Sequence, residues 1–272
     1  MHQIEPHVRA VAGVHSPATA VTDFSAICEH LAAELRRAGS AVLLNAEVTN
    51  IRQHLGRVQL ETTVGQYHFD RLIVCAGLFS DKVAAMVGAS PDPRILPFRG
   101  EYWTLAPQRQ QLVKSMIYPV PDPAFPFLGV HFTKGVYGDV HVGPNAVPAL
   151  AREGYSWSKI SVADTWESLR WPGVAPLVKK YWRTGATEIA ASVLKPLYLR
   201  AARAYIPSLT MGDLQAKGPA GVRAQAWSKD GSLLDDFAID SVGPVTLIRN
   251  APSPAATSAL AIAEYVTQQY FH

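Results

Sequence analysis

The 272-residue sequence has only two cysteines, Cys28 and Cys75, and no C-x-x-C pair. That excludes a disulfide framework and a cysteine-built metal site, and a reducing, cytoplasmic setting is the expectation. No run of about 18 apolar residues occurs, so a membrane-spanning helix is not expected. Residues 1–14 lack the charged-then-apolar layout of a secretory leader. Charge of one sign is never concentrated. The net charge is +3, and the densest basic groupings are the pairs Arg36-Arg37 and Lys179-Lys180. Such pairs suit solvated helix faces, and no nucleic-acid partner is indicated. H-E-x-x-H, G-x-S-x-G and Walker patterns are absent, which removes several hydrolase and NTPase readings, and no metal site is expected. No G-x-G-x-x-G turn occurs either, so a dinucleotide fold's phosphate-binding loop cannot be located here. The sequence has neither an internal repeat nor a low-complexity tract.

What is present is an ordinary globular balance, 48% hydrophobic and 17% charged, enough for one large domain or two modest ones. Mean hydropathy is +0.05, which leaves open a peripheral membrane contact or a large buried interface. Helical spacing of Phe24, Ile27, Cys28, Leu31 and Leu35 predicts a helix over 23–38, started by Asp23 and stopped by Gly39. Strands are expected over 41–44, 47–53, 57–63 and 66–75, then a helix over 79–87. An apolar strand ending in Ala76-Gly77 suits a buried parallel strand. From Pro91 onward prolines cluster, and strands over 98–105, 127–133 and 137–143 suggest an antiparallel sheet. Helical signals over 162–205 are broken by Pro172, Pro176 and Pro196. Strands at 221–227, 235–240 and 244–249 and a helix over 255–270 close the chain. The pattern reads as an α/β first part and, from Pro91, a second domain built on an antiparallel sheet.

Five segments could carry chemistry. At Arg249-Asn250-Ala251-Pro252-Ser253-Pro254-Ala255-Ala256-Thr257-Ser258 a strand hands over to a helix through small residues. Backbone N–H groups can approach a ligand there, and the helix start adds partial positive charge. That suits the anionic edge of a reduced flavin; a plain capped helix after a Pro-rich turn would look the same. Gly77 permits a tight strand-to-helix turn beside Ala76. In Phe98-Arg99-Gly100-Glu101-Tyr102-Trp103, Arg99 could hold a carboxylate or simply pair with Glu101. His131 shares a strand face with Gly129 and Thr133, where it could deprotonate a hydroxyl or be a satisfied core residue. Arg223 and Gln225 share another face. They suit a substrate carboxylate, unless Arg223 pairs with Asp235 or Asp236.

These segments occur together and in order. His15-Ser16-Pro17-Ala18-Thr19 precedes Val74-Cys75-Ala76-Gly77 and Phe98-Arg99-Gly100-Glu101-Tyr102. Then follow Ile117-Tyr118-Pro119-Val120-Pro121, Phe125-Pro126-Phe127-Leu128-Gly129-Val130-His131, Gly143-Pro144-Asn145, Gly218-Pro219-Ala220-Gly221-Val222-Arg223-Ala224-Gln225 and the 249–258 segment. The series resembles the L-2-hydroxyglutarate oxidase/dehydrogenase branch of the D-amino-acid-oxidase-like flavoproteins, over nearly the whole chain. The resemblance implies an α/β fold with an inserted α+β part: a doubly wound FAD-binding domain, here partial, over 1–90 and 211–272, and an antiparallel substrate domain inserted over 91–210. It implies oxidation of L-2-hydroxyglutarate to 2-oxoglutarate, with electrons passed to oxygen or a membrane quinone. By position it implies cofactor contacts at Val48, Ala76, Gly77 and 251–257 (Ala251, Pro252, Ser253, Pro254, Ala255, Ala256, Thr257). It places the substrate at Arg99, Arg223, Tyr118 and Asn250, with His131 as the base. Members of that branch begin with the Gly-rich unit this sequence lacks. The expectation is an N-terminally truncated chain that binds FAD poorly.

Overall fold

The structure, a computed structural model, describes residues 1–120, 129–252 and 255–270. Its elements in chain order are α1 (Phe24–Arg37), β1 (Val48–His54), β2 (Arg57–Thr62), β3 (Gly65–Phe69), β4 (Leu72–Val74), α2 (Ser80–Met86) and β5 (Arg94–Leu105). Next come β6 (Met116–Ile117), β7 (His131–Lys134), β8 (Val140–Pro148), α3 (Val162–Arg170), α4 (Val174–Val193) and α5 (Lys195–Ala202). The series ends with β9 (Leu214–Lys217), β10 (Gly221–Trp227), β11 (Ala238–Val242), β12 (Val245–Asn250) and α6 (Ala259–Tyr270).

Two compact units result. The first comprises Met1–Asp23, Phe98–Ser161 and Val178–Arg223; the second comprises Phe24–Pro97, Val162–Leu177 and Ala224–His272. This grouping departs from the expected boundaries at 1–23, 91–97, 162–177 and 211–223, and side-chain contacts account for the first and third. The buried Glu5 carboxylate accepts from the Lys114 and Ser115 backbone N–H groups at 3.1 and 2.7 Å. Val8 enters the first unit's core, so the opening segment is tied there. In the second unit Lys82 bonds Asp164 of α3 at 2.8 Å and approaches Glu167 at 3.4 Å.

The first unit is built on an antiparallel sheet of order β10-β5-β8-β7-β6, with β9 also paired to β5. Its core joins Leu105, Phe132, Val140, Val142 and Leu214 of the strands to Tyr198, Leu199 and Ala202 of α5. Each such fully buried apolar side chain contributes about 1.5–3 kcal/mol relative to exposure.

The second unit holds two three-stranded sheets, β1-β2-β3 and β11-β12-β4. The expected strand over 66–75 is split between them, and 41–44 forms no strand. Ile51, Val58, Val74, Ala84, Val245 and Leu247 form its core. Among the described residues, β4 with β12 is the parallel pair, in register Val245 with Leu72 and Leu247 with Val74. α1 ends as its sequence predicts: Gly39 sits at φ +82° and the Ser40 N–H reaches back to the Leu35 carbonyl at 3.0 Å.

Candidate active site

His131 opens β7 opposite Gly143 of β8 and is buried. The β6–β7 register sets Ile117 against Phe132, which carries the next residue, Tyr118, onto the histidine. Their rings lie 4.4 Å apart, tilted by 31°. Tyr118 also shares a hydrogen bond with the Thr133 hydroxyl, at 3.2 Å. From β5, Tyr102 presents its ring edge-on to His131 at 6.3 Å and to His141 at 6.3 Å.

Burial pushes the His131 imidazole down to about 4, helped by the Arg223 charge, while a hydrogen bond to the backbone of Gly129 pulls the other way. The ring is therefore neutral at neutral pH. Its Nδ1 is buried and has no hydrogen-bond partner among the described residues. A neutral imidazole with an unbonded ring nitrogen has a lone pair that can take a proton. Burial also raises the Tyr102 phenol, against a lowering by Arg223, so that hydroxyl stays a donor. Two phenols, an imidazole and a guanidinium thus converge in the first unit. His131, Tyr118 and Arg223 were read from the sequence. Tyr102 was missed as a site residue; nothing along β5, which also carries Arg94, Arg99 and Glu101, marks it out.

Arg99 takes a different place. It is fully buried, and its guanidinium donates to Glu101 Oε1 from Nε at 3.0 Å and Nη2 at 2.8 Å, and to the Gly154 carbonyl from Nη1 at 3.0 Å. It also stacks over Trp157 at 4.5 Å. The other Glu101 oxygen is bonded by Ser192 and approached by Lys217 at 3.4 Å. Arg99 is thereby the buried counter-charge of Glu101, the pairing weighed against a substrate role in the sequence. Asn250 is likewise engaged, donating its amide to the Leu234 and Asp236 carbonyls at 3.2 and 2.7 Å. It ties down the loop before β11, in the second unit.

Gly143 makes the crowding around Tyr102 possible. A Cβ there would lie 2.7 Å from the Glu101 carbonyl, 2.7 Å from Tyr198 Oη and 2.8 Å from Tyr102 Cδ1, and φ is +149°. Gly143→Ala should therefore cost about 1–3 kcal/mol. Denaturant titration would show it as an earlier midpoint at unchanged slope; an unmoved midpoint would contradict the packing.

The second unit carries the corner of small residues. Because β4 and β12 run parallel and in register, Ala76-Gly77 beyond β4 and Ala251 beyond β12 leave the sheet at the same end. Ser80 Oγ donates to the Arg249 carbonyl at 3.2 Å, joining the two turns. Gly77 has φ +49°, and a Cβ on it would meet nothing within 4 Å. Among the described residues, the place such a side chain would take is open. A 3-10 turn over Ala256–Ser258 precedes α6, so the helix begins later than expected. Ser253 and Pro254 lie outside the described residues. Val48 starts β1 and packs against this unit's core.

Residues 1–269 match the family model described as DAO, FAD dependent oxidoreductase. The chain belongs to this FAD-dependent oxidoreductase family. The mitochondrial L-2-hydroxyglutarate dehydrogenase of Caenorhabditis elegans is 43% identical over 277 residues, covering 98% of this chain and 64% of that protein. The L-2-hydroxyglutarate dehydrogenase of Escherichia coli (strain K12) is 40% identical over 270 residues, covering 99% and 64%. The chain thus spans about 64% of the length of these relatives. Among solved structures, dithionite-reduced L-alpha-glycerophosphate oxidase from Mycoplasma pneumoniae with FAD bound aligns with TM-score 0.66 at 20% identity. It covers 98% of this chain and 61% of that one. L-proline dehydrogenase from P. horikoshii gives TM-score 0.58 at 12% identity, covering 99% and 63%. At such identities the structures speak for the fold.

The open, small-residue corner fits part of the cofactor this family requires. A dinucleotide fold binds its ligand beyond the carboxyl ends of parallel strands, which is where Ala76, Gly77, Ala251 and Pro252 stand.

Proposed function

We propose that this chain is the larger part of an FAD-dependent dehydrogenase or oxidase that converts L-2-hydroxyglutarate to 2-oxoglutarate. The observation that carries the reading is the open Nδ1 of a neutral, buried His131 beside Arg223, Tyr102 and Tyr118. The names of relatives about 40% identical support the substrate. A 2-hydroxy dicarboxylate needs a cation and hydroxyl donors for its carboxylates and a base for its hydroxyl proton. Arg223 supplies the charge, Tyr102 and Tyr118 supply phenol donors, and His131 Nδ1 accepts the proton. When bound, FAD supplies the two-electron acceptor for the hydride leaving C2, and the electrons pass on to oxygen or a quinone. Ala76, Gly77, Ala251, Pro252 and Ala255 to Thr257 would hold that cofactor, with Val48 on its adenine side. His131 itself is buried, which strengthens its own electrostatic contacts.

A form carrying FAD should be assayed with L-2-hydroxyglutarate, its D-isomer, glycine, sarcosine and glycerol 3-phosphate. Preference for L-2-hydroxyglutarate is expected. Higher kcat/KM with an amine or with the phosphate ester would replace this reading by another member of the same family.

A further inference from the structure

Trp103, Phe132 and Val142 pack with α5 residues in the first unit's core. Alternation along the strands sends the residues between them to the other face of the sheet. That face carries Tyr102 and Thr104 of β5, His131 and Thr133 of β7, and His141 of β8. Thr104 and Thr133 both pair with His141, and His131 with Gly143, so the five form one patch. His131 and His141 are thereby diagonal neighbours across the β7–β8 pair, about 7–8 Å apart. Tyr102 presents its ring edge-on to both.

His141 differs from His131 in its partners. Its Nε2 pairs with Asp139 Oδ2 at 2.5 Å, which holds the ring from the turn before β8. Its Nδ1 lies 3.4 Å from Thr104 Oγ1, long for a hydrogen bond. Gly218 keeps that nitrogen uncovered: a Cβ there would come within 3.2 Å of Nδ1 and 3.1 Å of Thr104 Oγ1. The His141 side chain is 22% exposed, so a ligand can reach it.

We propose that His141, held by Asp139, binds the far carboxylate of the substrate and so selects a 2-hydroxy dicarboxylate over a 2-hydroxy acid with an apolar tail. The assignment rests on the reaction proposed above and adds a residue to it. Arg223, whose charge acts on both His131 and Tyr102, answers the carboxylate beside the reacting carbon. The second carboxylate lies at the other end of the chain and needs a donor of its own, because an ionised group left unpaired among half-buried side chains is costly. An imidazolium donates from both nitrogens. One proton goes to Asp139, and the other can leave the long Thr104 contact for the substrate. The diagonal spacing of the two histidines suits a five-carbon acid laid across the strands, its hydroxyl at His131 and its far end at His141. Asp139 offsets the imidazolium charge from the other nitrogen when that end of the site is empty.

A form carrying FAD should be assayed with L-2-hydroxyglutarate and with L-2-hydroxypentanoate, which has the same chain length and no far carboxylate. His141→Ala should raise KM for L-2-hydroxyglutarate about ten- to a hundredfold, the loss of one hydrogen bond to a charged group, with a much smaller change in kcat. KM for L-2-hydroxypentanoate should not move, which a general loss of packing could not produce. Calorimetry with the products reads the same contact without turnover. Binding of 2-oxoglutarate should weaken by a like factor, and binding of 2-oxopentanoate should not. Gly218→Ala, which covers Nδ1, should shift both comparisons in the same direction. Equal losses on the two acids in His141→Ala, or no loss on either, overturn the assignment and leave the reaction standing. Wild-type protein without preference for the dicarboxylate overturns the substrate proposed above, and this assignment with it.

Discussion

Purified as these 272 residues, the protein should be nearly colourless, with flavin absorbance far below one FAD per chain. Two observations set this expectation. The sequence has no Gly-rich turn to place backbone N–H groups on a pyrophosphate. The sheet that carries the cofactor corner has three strands, with the three-residue β4 at its edge. Loss of two charge-assisted hydrogen bonds, at about 1.5–3 kcal/mol each, weakens retention on the order of a hundred- to ten-thousandfold. The same unit should self-associate. α1 has no buried residue, and Phe24, Ile27, Leu31 and Leu35 lie 38% to 51% exposed along one side. Such a helix is stable only when its apolar face is covered. The chain extended to the length of its relatives should regain both colour and solubility. A stoichiometric yellow protein from the 272 residues alone would show that the corner at Gly77 and Ala251 suffices. Absence of flavin in an extended form would count against the cofactor assignment itself.

The sequence revealed elements whose signals are local. α1 was legible from apolar spacing and Gly39, β10 from apolar residues alternating with Arg223 and Gln225 after Gly221, and β12 from the stretch Val245 to Ile248 after Pro244. The 66–75 run misled because strand-forming residues stand on both sides of Asp70-Arg71, the only break between Tyr67-His68-Phe69 and Leu72-Ile73-Val74; the chain leaves one sheet and enters another there. Residues 41–44 have strand composition but no partner strand, and pairing, not propensity, decides. The site was legible to the extent that alternation along β7 assigns His131 a face. Arg99 and Arg223 could not be told apart, since both are arginines on strands among small residues. What separates them is tertiary: Glu101, Gly154 and Trp157 close around Arg99, while Arg223 bears on His131 and Tyr102. Tyr102 escaped notice because its importance lies in its neighbours across β8 and β7, which no spacing along β5 encodes.

In a form that retains FAD, His131→Gln should lower kcat about 10²–10⁴-fold, the usual loss when a positioned base is removed, while FAD content and KM change little. Gln keeps size and polarity but cannot accept a proton. The pH profile separates a base from a merely packed ring. The imidazole sits near 4 when folded and 6.5 when unfolded, so wild-type kcat/KM should hold through weak acid and fall only as pH drops toward about 4. The variant should lack that limb. Stability follows the same group. As pH falls below 6.5 the unfolded chain takes the proton first, so the contribution is present above 6.5 and is lost on the way down to about 4. Gln cannot titrate, so the variant's midpoint should fall less over that interval. Unchanged turnover in His131→Gln, or an acid limb that persists in it, would remove His131 from proton transfer. The base would then have to be sought elsewhere, since Tyr102 is held protonated by the burial that keeps His131 neutral.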